Sequence, residues 1–98
     1  MILPVALVLM GVAHLLDYAT FFVMIGHHGL EAELNPLVVL LFERMGPLGV
    51  TLAKAGGILF AASVVTIIVR THRVLAGVVL GFGIVSGLIG AYSNLITL

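Results

Sequence analysis

The chain has 98 residues, of which 62% are apolar and 8% are charged, and its mean hydropathy is +1.36. A soluble domain needs more polar surface than this to cover its core, so the composition predicts an integral membrane protein. Four basic residues balance four acidic ones, which leaves no basic face for nucleic acid. The absence of cysteine excludes disulfides, thiolate metal sites and cysteine nucleophiles.

The first apolar run covers residues 2–25. At about 1.5 Å per residue it is long enough to cross a hydrocarbon core of about 30 Å. No Lys or Arg precedes Arg44, so the run lacks the basic start of a signal peptide and is expected to be retained. Residues 26–29, Gly-His-His-Gly, are predicted to end the helix, and an acidic connection over residues 30–34 follows.

A short helix is predicted over residues 35–45. Asn35 can cap free backbone amides, with Glu33 beside it, and Pro36 suits the first helical position, where no N–H donor is needed. The same helix start could instead bind an anion. A Gly-Pro pair ends the helix after about 15 Å, which is too short to span the membrane. Its first six residues after the proline are all apolar, so we expect it to be half inserted or covered by protein.

Two further spans, residues 47–69 and 74–97, complete an all-α fold. Arg70 and Arg73 place the turn between them in the cytoplasm, since the connection at the other end holds three acidic residues and one arginine. We therefore predict a single domain, residues 1–98, of three transmembrane helices and one short half-inserted helix. It is expected in a prokaryotic inner membrane, with the N-terminus cytoplasmic and the C-terminus outside.

Polar residues of all three spans are predicted to lie in one layer near the outer end. Asp17 is the one residue of the first span expected to carry a full charge, and a lone carboxylate in hydrocarbon needs a partner. Lys54 is the one cation inside another span, and both lie seven or eight residues from the outer end, about 10–12 Å deep. His14 and Tyr18 share the helix face of Asp17, and Asn94 approaches the same end on the third span.

Small residues form stripes at helical spacing on the second and third spans, where they allow close approach of another backbone. On the second span, Gly57 and Ala61 are predicted to pack on the face of Lys54. On the third span, one stripe is predicted to face the interior, and a second is rotated away from it and left for a partner subunit. The interior stripe holds Gly83, Gly87 and Gly90, and the second holds Gly77 and Gly81.

The pairing of Asp17 with Lys54 has two interpretations. It is a structural ion pair that holds the helices together, or part of an ion or proton path in which Asp17 titrates beside His14. A metal site is not expected, because His14 and Asp17 are only two ligands and His27 lies about 20 Å along the helix. No serine, cysteine or carboxylate pair forms a hydrolytic set, so neither an enzymatic activity nor a cofactor is predicted.

The chain resembles a family of small prokaryotic polytopic membrane proteins known only as a domain of unknown function. The resemblance covers nearly the whole chain, and this chain has His14 where members typically carry an asparagine. It implies that Asp17, Glu33, Asn35 and Lys54 form one unit, and it implies no activity. The pattern consists of Asp17 followed by Thr20, then Glu33-x-Asn35-Pro36, then Gly46-Pro47 and Lys54.

These observations predict a small non-enzymatic membrane protein, an accessory or structural subunit of a homo-oligomer or of a larger membrane complex. Its expected contacts are the lipid bilayer and other membrane subunits, and not nucleic acid. The alternative is an oligomeric ion or proton channel or transporter that uses His14 and Asp17. A holin-like, lesion-forming protein fits the size and topology, but it would not require Asp17 and Lys54 to lie at one depth.

Overall fold

Three long helices make up the computed structural model, which describes residues 3–33 and 35–98. They are α1 (Leu3–His28), α2 (Pro36–Ile68) and α3 (Arg73–Thr97), with one turn of 3₁₀ helix at Leu30–Ala32. Each of the three is long and apolar enough to cross a membrane, so the predicted all-α membrane bundle is confirmed. The predicted start of the first span at Ile2 and the end of the acidic connection at Leu34 lie outside the described residues.

The first helix ends later than predicted. Gly26 was expected to begin the stop, but α1 continues through it to His28. A Cβ at Gly26 would meet nothing within 4 Å, so this glycine sits in an unobstructed stretch of helix. The stop comes at Gly29, whose φ of 82° lies in the left-handed region that glycine adopts without strain.

The predicted short helix is the first arm of α2, and it begins as the sequence indicates. The side chain of Asn35 accepts a hydrogen bond of 3.0 Å from the backbone N–H of Leu37, and Pro36 occupies the first turn. This cap satisfies one of the free amides at the helix start. We call residues 36–45 the short arm and residues 47–68 the long arm.

A single residue, Gly46, separates the two arms. Its φ of 70° and ψ of −161° are non-helical and lie in a region that residues with a Cβ rarely adopt. A Cβ at Gly49 would lie 3.1 Å from the carbonyl oxygen of Leu41, which is eight residues earlier in the chain. In a straight helix, residues eight apart are separated by about 12 Å along the axis. The short arm therefore folds back against the start of the long arm.

Helices α1 and α3 run parallel and pack more closely than either packs on α2. The interior glycine stripe of α3 allows this close approach, because a Cβ at each position would meet an atom of α1 at 3.0 Å or less. The interior stripe therefore lies against α1. Along the helices, Gly83 lies against Met10, Gly87 against Ala13, and Gly90 against Asp17.

Gly57 does not pack as predicted. It is exposed, and a Cβ there would meet nothing within 4 Å, because α2 lies less closely against the other two helices than they lie against each other. Ala61, one turn further on, does pack against the apolar core of Met10 and Val65. Gly77 and Gly81 are also exposed and open, so the second stripe of α3 lies on the outside of the chain.

Two apolar cores lie on either side of the level of Asp17. One, near the turn that joins α2 to α3, contains Met10, Val65, Ala76 and Leu80. The other lies at the opposite end of the bundle, the loop end, where α1 passes into α2, and the short arm packs on it through Val38, Leu41 and Phe42. The buried members of this second core are Phe21, Met24 and Val50.

Candidate functional site

Asp17 of α1 and Lys54 of α2 form an ion pair, in which the ammonium donates to carboxylate oxygen Oδ2. Their side chains are 22% and 24% exposed, respectively. Both residues lie within apolar spans, so each charge neutralises the other where lipid cannot solvate it. The pairing predicted from equal depth is present, and within residues 3–33 and 35–98 it is the sole ion pair.

Asn94 connects α3 to this pair. Its amide nitrogen Nδ2 lies 3.0 Å from carboxylate oxygen Oδ1 of Asp17, 3.0 Å from the backbone carbonyl of Asp17, and 3.1 Å from the hydroxyl of Thr20. The Thr20 hydroxyl in turn donates to the carbonyl of Leu16 at 2.7 Å, which leaves its oxygen free to accept. Asn94 is only 5% exposed, so its donors are used inside the bundle. We call Asp17, Thr20, Lys54 and Asn94 the polar cluster.

Gly90 makes room for the carboxylate of the cluster. A Cβ at this position would lie 2.5 Å from the carboxyl carbon of Asp17 and from its Oδ1. Since α3 approaches α1 this closely, a larger residue opposite the acid would displace the Asp17 carboxylate from its present position. The sequence predicts Gly90 as a packing residue, and the structure gives it the added role of fitting the acid against α3.

A second link between α1 and α2 lies beside the cluster. The hydroxyl of Tyr18 lies 2.7 Å from that of Thr51, which donates its single hydrogen to the carbonyl of Pro47 at 2.9 Å. Tyr18 is therefore the donor to Thr51. This link joins Tyr18 to the start of the long arm, five residues after Gly46, and Tyr18 makes no direct hydrogen bond to Asp17.

His14 connects α1 to α3 and forms no hydrogen bond to Asp17. Its Nε2 lies 2.8 Å from the carbonyl oxygen of Gly83, and a carbonyl only accepts, so Nε2 is the donor. The other ring nitrogen, Nδ1, is buried and has no hydrogen-bond partner in the described part of the chain. The predicted neighbour of Asp17 thus lies one turn away and has a partner of its own.

A half-open cavity of about 550 Å³ lies beside the polar cluster, and residues of the three helices and the short arm line it. Asp17, Lys54 and Asn94 line it from the helices, and Glu33 and Asn35 line it from the connection before α2. The sequence-predicted polar residues of the loop end therefore surround one space. The short arm supplies an apolar wall made of Leu37, Val38 and Leu41.

Glu33 lies at the start of that wall. One of its carboxylate oxygens, Oε1, accepts the backbone N–H of Asn35 at 2.9 Å, so the predicted cap is built from Glu33 and Asn35 together. Its side chain is half-buried, and no cation of the described residues forms an ion pair with it. Glu33 is thus an acid on the cavity wall whose charge is not matched within the described chain.

Sequence reasoning missed two polar lining residues and one member of the cluster. Thr20 accepts from Asn94, and a signal was available because it lies three residues after Asp17, on the same helix face. Ser86 and Ser93 line the cavity from α3 and gave no signal of their own. In the described ranges, no three His, Asp or Glu side chains converge as metal ligands would.

Comparison of the chain with protein-family models, with curated proteins and with solved structures returns no match.

Proposed function

We propose that the chain is a non-enzymatic membrane protein that serves as an accessory or structural subunit, either of a homo-oligomer or of a larger complex. One observation carries this proposal. Gly77 and Gly81 lie four residues apart on the exposed side of α3, and a Cβ at either position would meet nothing within 4 Å. In lipid, small residues at this spacing allow a second helix to approach closely, which is a main source of helix association.

The polar cluster holds α2 in place within such a subunit. Lipid provides no hydrophobic driving force between helices, so attachment depends on packing and polar contacts. Helix α2 packs less closely than its neighbours, and two polar links join it to α1, one from Lys54 to Asp17 and one from Thr51 to Tyr18. Helices α1, α2 and α3 then form one unit, with Gly77 and Gly81 on its outer surface.

Orientation and depth belong to the same proposal. The arginines at the turn between α2 and α3 lie on the cytoplasmic side of a prokaryotic inner membrane, and the loop end faces outward. The short arm enters the outer half of the bilayer, because its Leu37, Val38 and Leu41 line the cavity wall and an apolar arm of about 15 Å is too short to span.

The test is the assembly state of the full chain after extraction in a mild detergent. We expect a particle heavier than the 10.3 kDa monomer, or a co-purifying membrane subunit. Replacing Gly77 and Gly81 together by leucine should release the monomer, because the added side chains keep the neighbouring helix away. Leu75→Phe is the matched control, since Leu75 is also exposed on α3 but lies on a different face. A monomer without partners in the unmodified chain would overturn the proposal.

A second candidate function is an oligomeric ion or proton channel that uses His14 and Asp17. The observation in its favour is the unpartnered buried Nδ1 of His14, one turn from a carboxylate beside a cavity. Against conduction by one chain, the apolar core of Met10, Val65, Ala76 and Leu80 lies between this level and the turn end. A path through the membrane would therefore have to form between chains.

Proton and sodium flux into liposomes containing the purified protein separates the two functions. Conduction requires that the protein dissipate the gradient and that Asp17→Asn abolish the flux without unfolding the chain. Glu31→Gln is the control, because it removes an exposed acid of the same end that does not line the cavity. Liposomes that hold their gradient reject conduction and leave the subunit proposal in place.

A further inference from the structure

We propose that the cavity beside the polar cluster binds the primary ammonium group of an amphiphile, with Glu33 as its counter-ion and the short arm against its apolar part. This is a binding activity in addition to the subunit role, and it does not depend on the assembly state. It rests on the charge of the cavity, its walls and its size.

The charges around the cavity do not balance. Asp17, Glu33 and Lys54 are the charged side chains that line it, and the ammonium of Lys54 is already paired with Asp17. The excess is one negative charge, on Glu33. A carboxylate that is partly buried and has no cation partner gains from a cation that also donates hydrogen bonds to it.

The hydrogen bonds of Glu33 leave room for such a donor. Oxygen Oε1 is used by the backbone N–H of Asn35, and the described residues provide no donor to Oε2. A primary ammonium can donate to that oxygen, whereas a quaternary ammonium cannot, and an anion would face two carboxylates with only one lysine, already engaged. The site therefore favours a primary amine over both.

The walls and the volume indicate that the amine is attached to an apolar body. The short arm contributes Leu37, Val38 and Leu41, and the volume of about 550 Å³ lies in the usual range for small-molecule sites. The cavity lies at one end of a membrane-spanning bundle, where lipid headgroups are abundant. Two sources share this chemistry: the ethanolamine headgroup of a phospholipid, and a free alkylamine.

Native mass spectrometry of the full chain, stripped of lipid in detergent, measures the binding. The chain is titrated with phosphatidylethanolamine, phosphatidylcholine and phosphatidylglycerol of identical acyl chains, and separately with octylamine. We expect phosphatidylethanolamine to bind about tenfold more tightly than the other two lipids, as one charge-assisted hydrogen bond provides. Octylamine that competes with this lipid would show that the ammonium, and not the phosphate, is recognised.

Glu33→Gln is the informative variant, because glutamine keeps one oxygen to accept from the N–H of Asn35 and replaces the other, with its charge, by an NH2 group that cannot accept from an ammonium. It should lower binding of phosphatidylethanolamine to the level of phosphatidylcholine. Glu31→Gln, which removes an exposed acid outside the cavity, should change nothing. Circular dichroism checks that both variants fold. If Glu33→Gln does not fold, the preference of the unmodified chain among the three lipids and octylamine tests the proposal instead.

Two results overturn the proposal: tighter binding of phosphatidylglycerol than of phosphatidylethanolamine, and binding of phosphatidylethanolamine or octylamine that a folded Glu33→Gln variant leaves unchanged. Octylamine binding that depends on Glu33, without any preference among lipids, supports the ammonium site and assigns it to a soluble amine. No binding of either amine by the folded chain rejects the site altogether.

Discussion

The ion pair between Asp17 and Lys54 provides the most direct quantitative test of the fold. We consider three variants, Asp17→Asn, Lys54→Met and the two together, each close in size to the original side chain. Each single change leaves one charge in an apolar span without its partner. The double change leaves two uncharged side chains of similar volume.

The expected magnitudes follow from the partial burial of the pair. Removing one member of a fully buried pair costs about 3–5 kcal/mol, whereas replacing both is often neutral. About a quarter of each side chain is exposed to the cavity, and Asn94 still donates to the carboxylate of Asp17 when Lys54 is lost. We therefore expect the free energy of unfolding to fall by about 2 kcal/mol in each single variant and by about 1 kcal/mol in the double variant. The coupling energy between the two residues is then about 3 kcal/mol.

The measurement is unfolding of the full chain by SDS in mixed micelles, followed by far-UV circular dichroism. Arg44→Met serves as control, since Arg44 is an exposed cation of the loop end that forms no ion pair within the described residues, and it should leave the midpoint unchanged. Additive single losses, with a coupling energy near zero, would refute the reasoning, because they would mean that the two side chains do not meet in the membrane.

Three further predictions concern single positions and use the same unfolding titration. Gly90→Ala should destabilise the chain by about 1–3 kcal/mol, because its Cβ would meet the Asp17 carboxyl at 2.5 Å. Gly57→Ala, which meets nothing within 4 Å, should be neutral or slightly stabilising, and an equal loss at both positions would contradict the proposed close approach. Gly46→Ala should cost about 1–3 kcal/mol through its backbone conformation alone, since its Cβ is also unobstructed; an unchanged midpoint would argue against the bend. Asn35→Ala should lose about 1 kcal/mol with the helix cap, whereas Asn35→Asp should retain it, and equal loss in both variants would show that the cap is not the cause.

The sequence was sufficient for the spans and for the central ion pair because both depend on strong, local signals. Long apolar runs have few alternatives to a membrane helix. Asp17 and Lys54 are the only strongly charged residues well inside those runs, so the cost of an unpaired charge left one possible pairing. The interior stripe of α3 was equally accessible, because three glycines at helical spacing define a face without reference to the partner helix.

The cavity could not be predicted, since it depends on a reversal at one residue. The Gly46-Pro47 pair predicts the end of a helix, but not that the short arm turns back over the polar cluster. The partner of His14 could not be predicted either, because it is the backbone carbonyl of Gly83. Every residue has such a carbonyl, and no sequence pattern indicates which one a side chain will contact. At Gly57 the sequence pattern predicted a contact that does not form, because no side chain or neighbouring helix lies within 4 Å of the position of its Cβ.

The order in which the ribosome makes the polar cluster sets a condition on membrane insertion. Lys54 follows Asp17 by 37 residues and Asn94 follows it by 77. At about 5–20 residues per second, Asp17 emerges roughly 2–7 s before Lys54 and roughly 4–15 s before Asn94. Until Lys54 emerges the acid has neither of its cross-helix partners, so the first helix must stay beside water, protein or the insertion machinery during that time. Insertion is therefore stepwise, and the burial of Asp17 is complete only when α3 has reached α1.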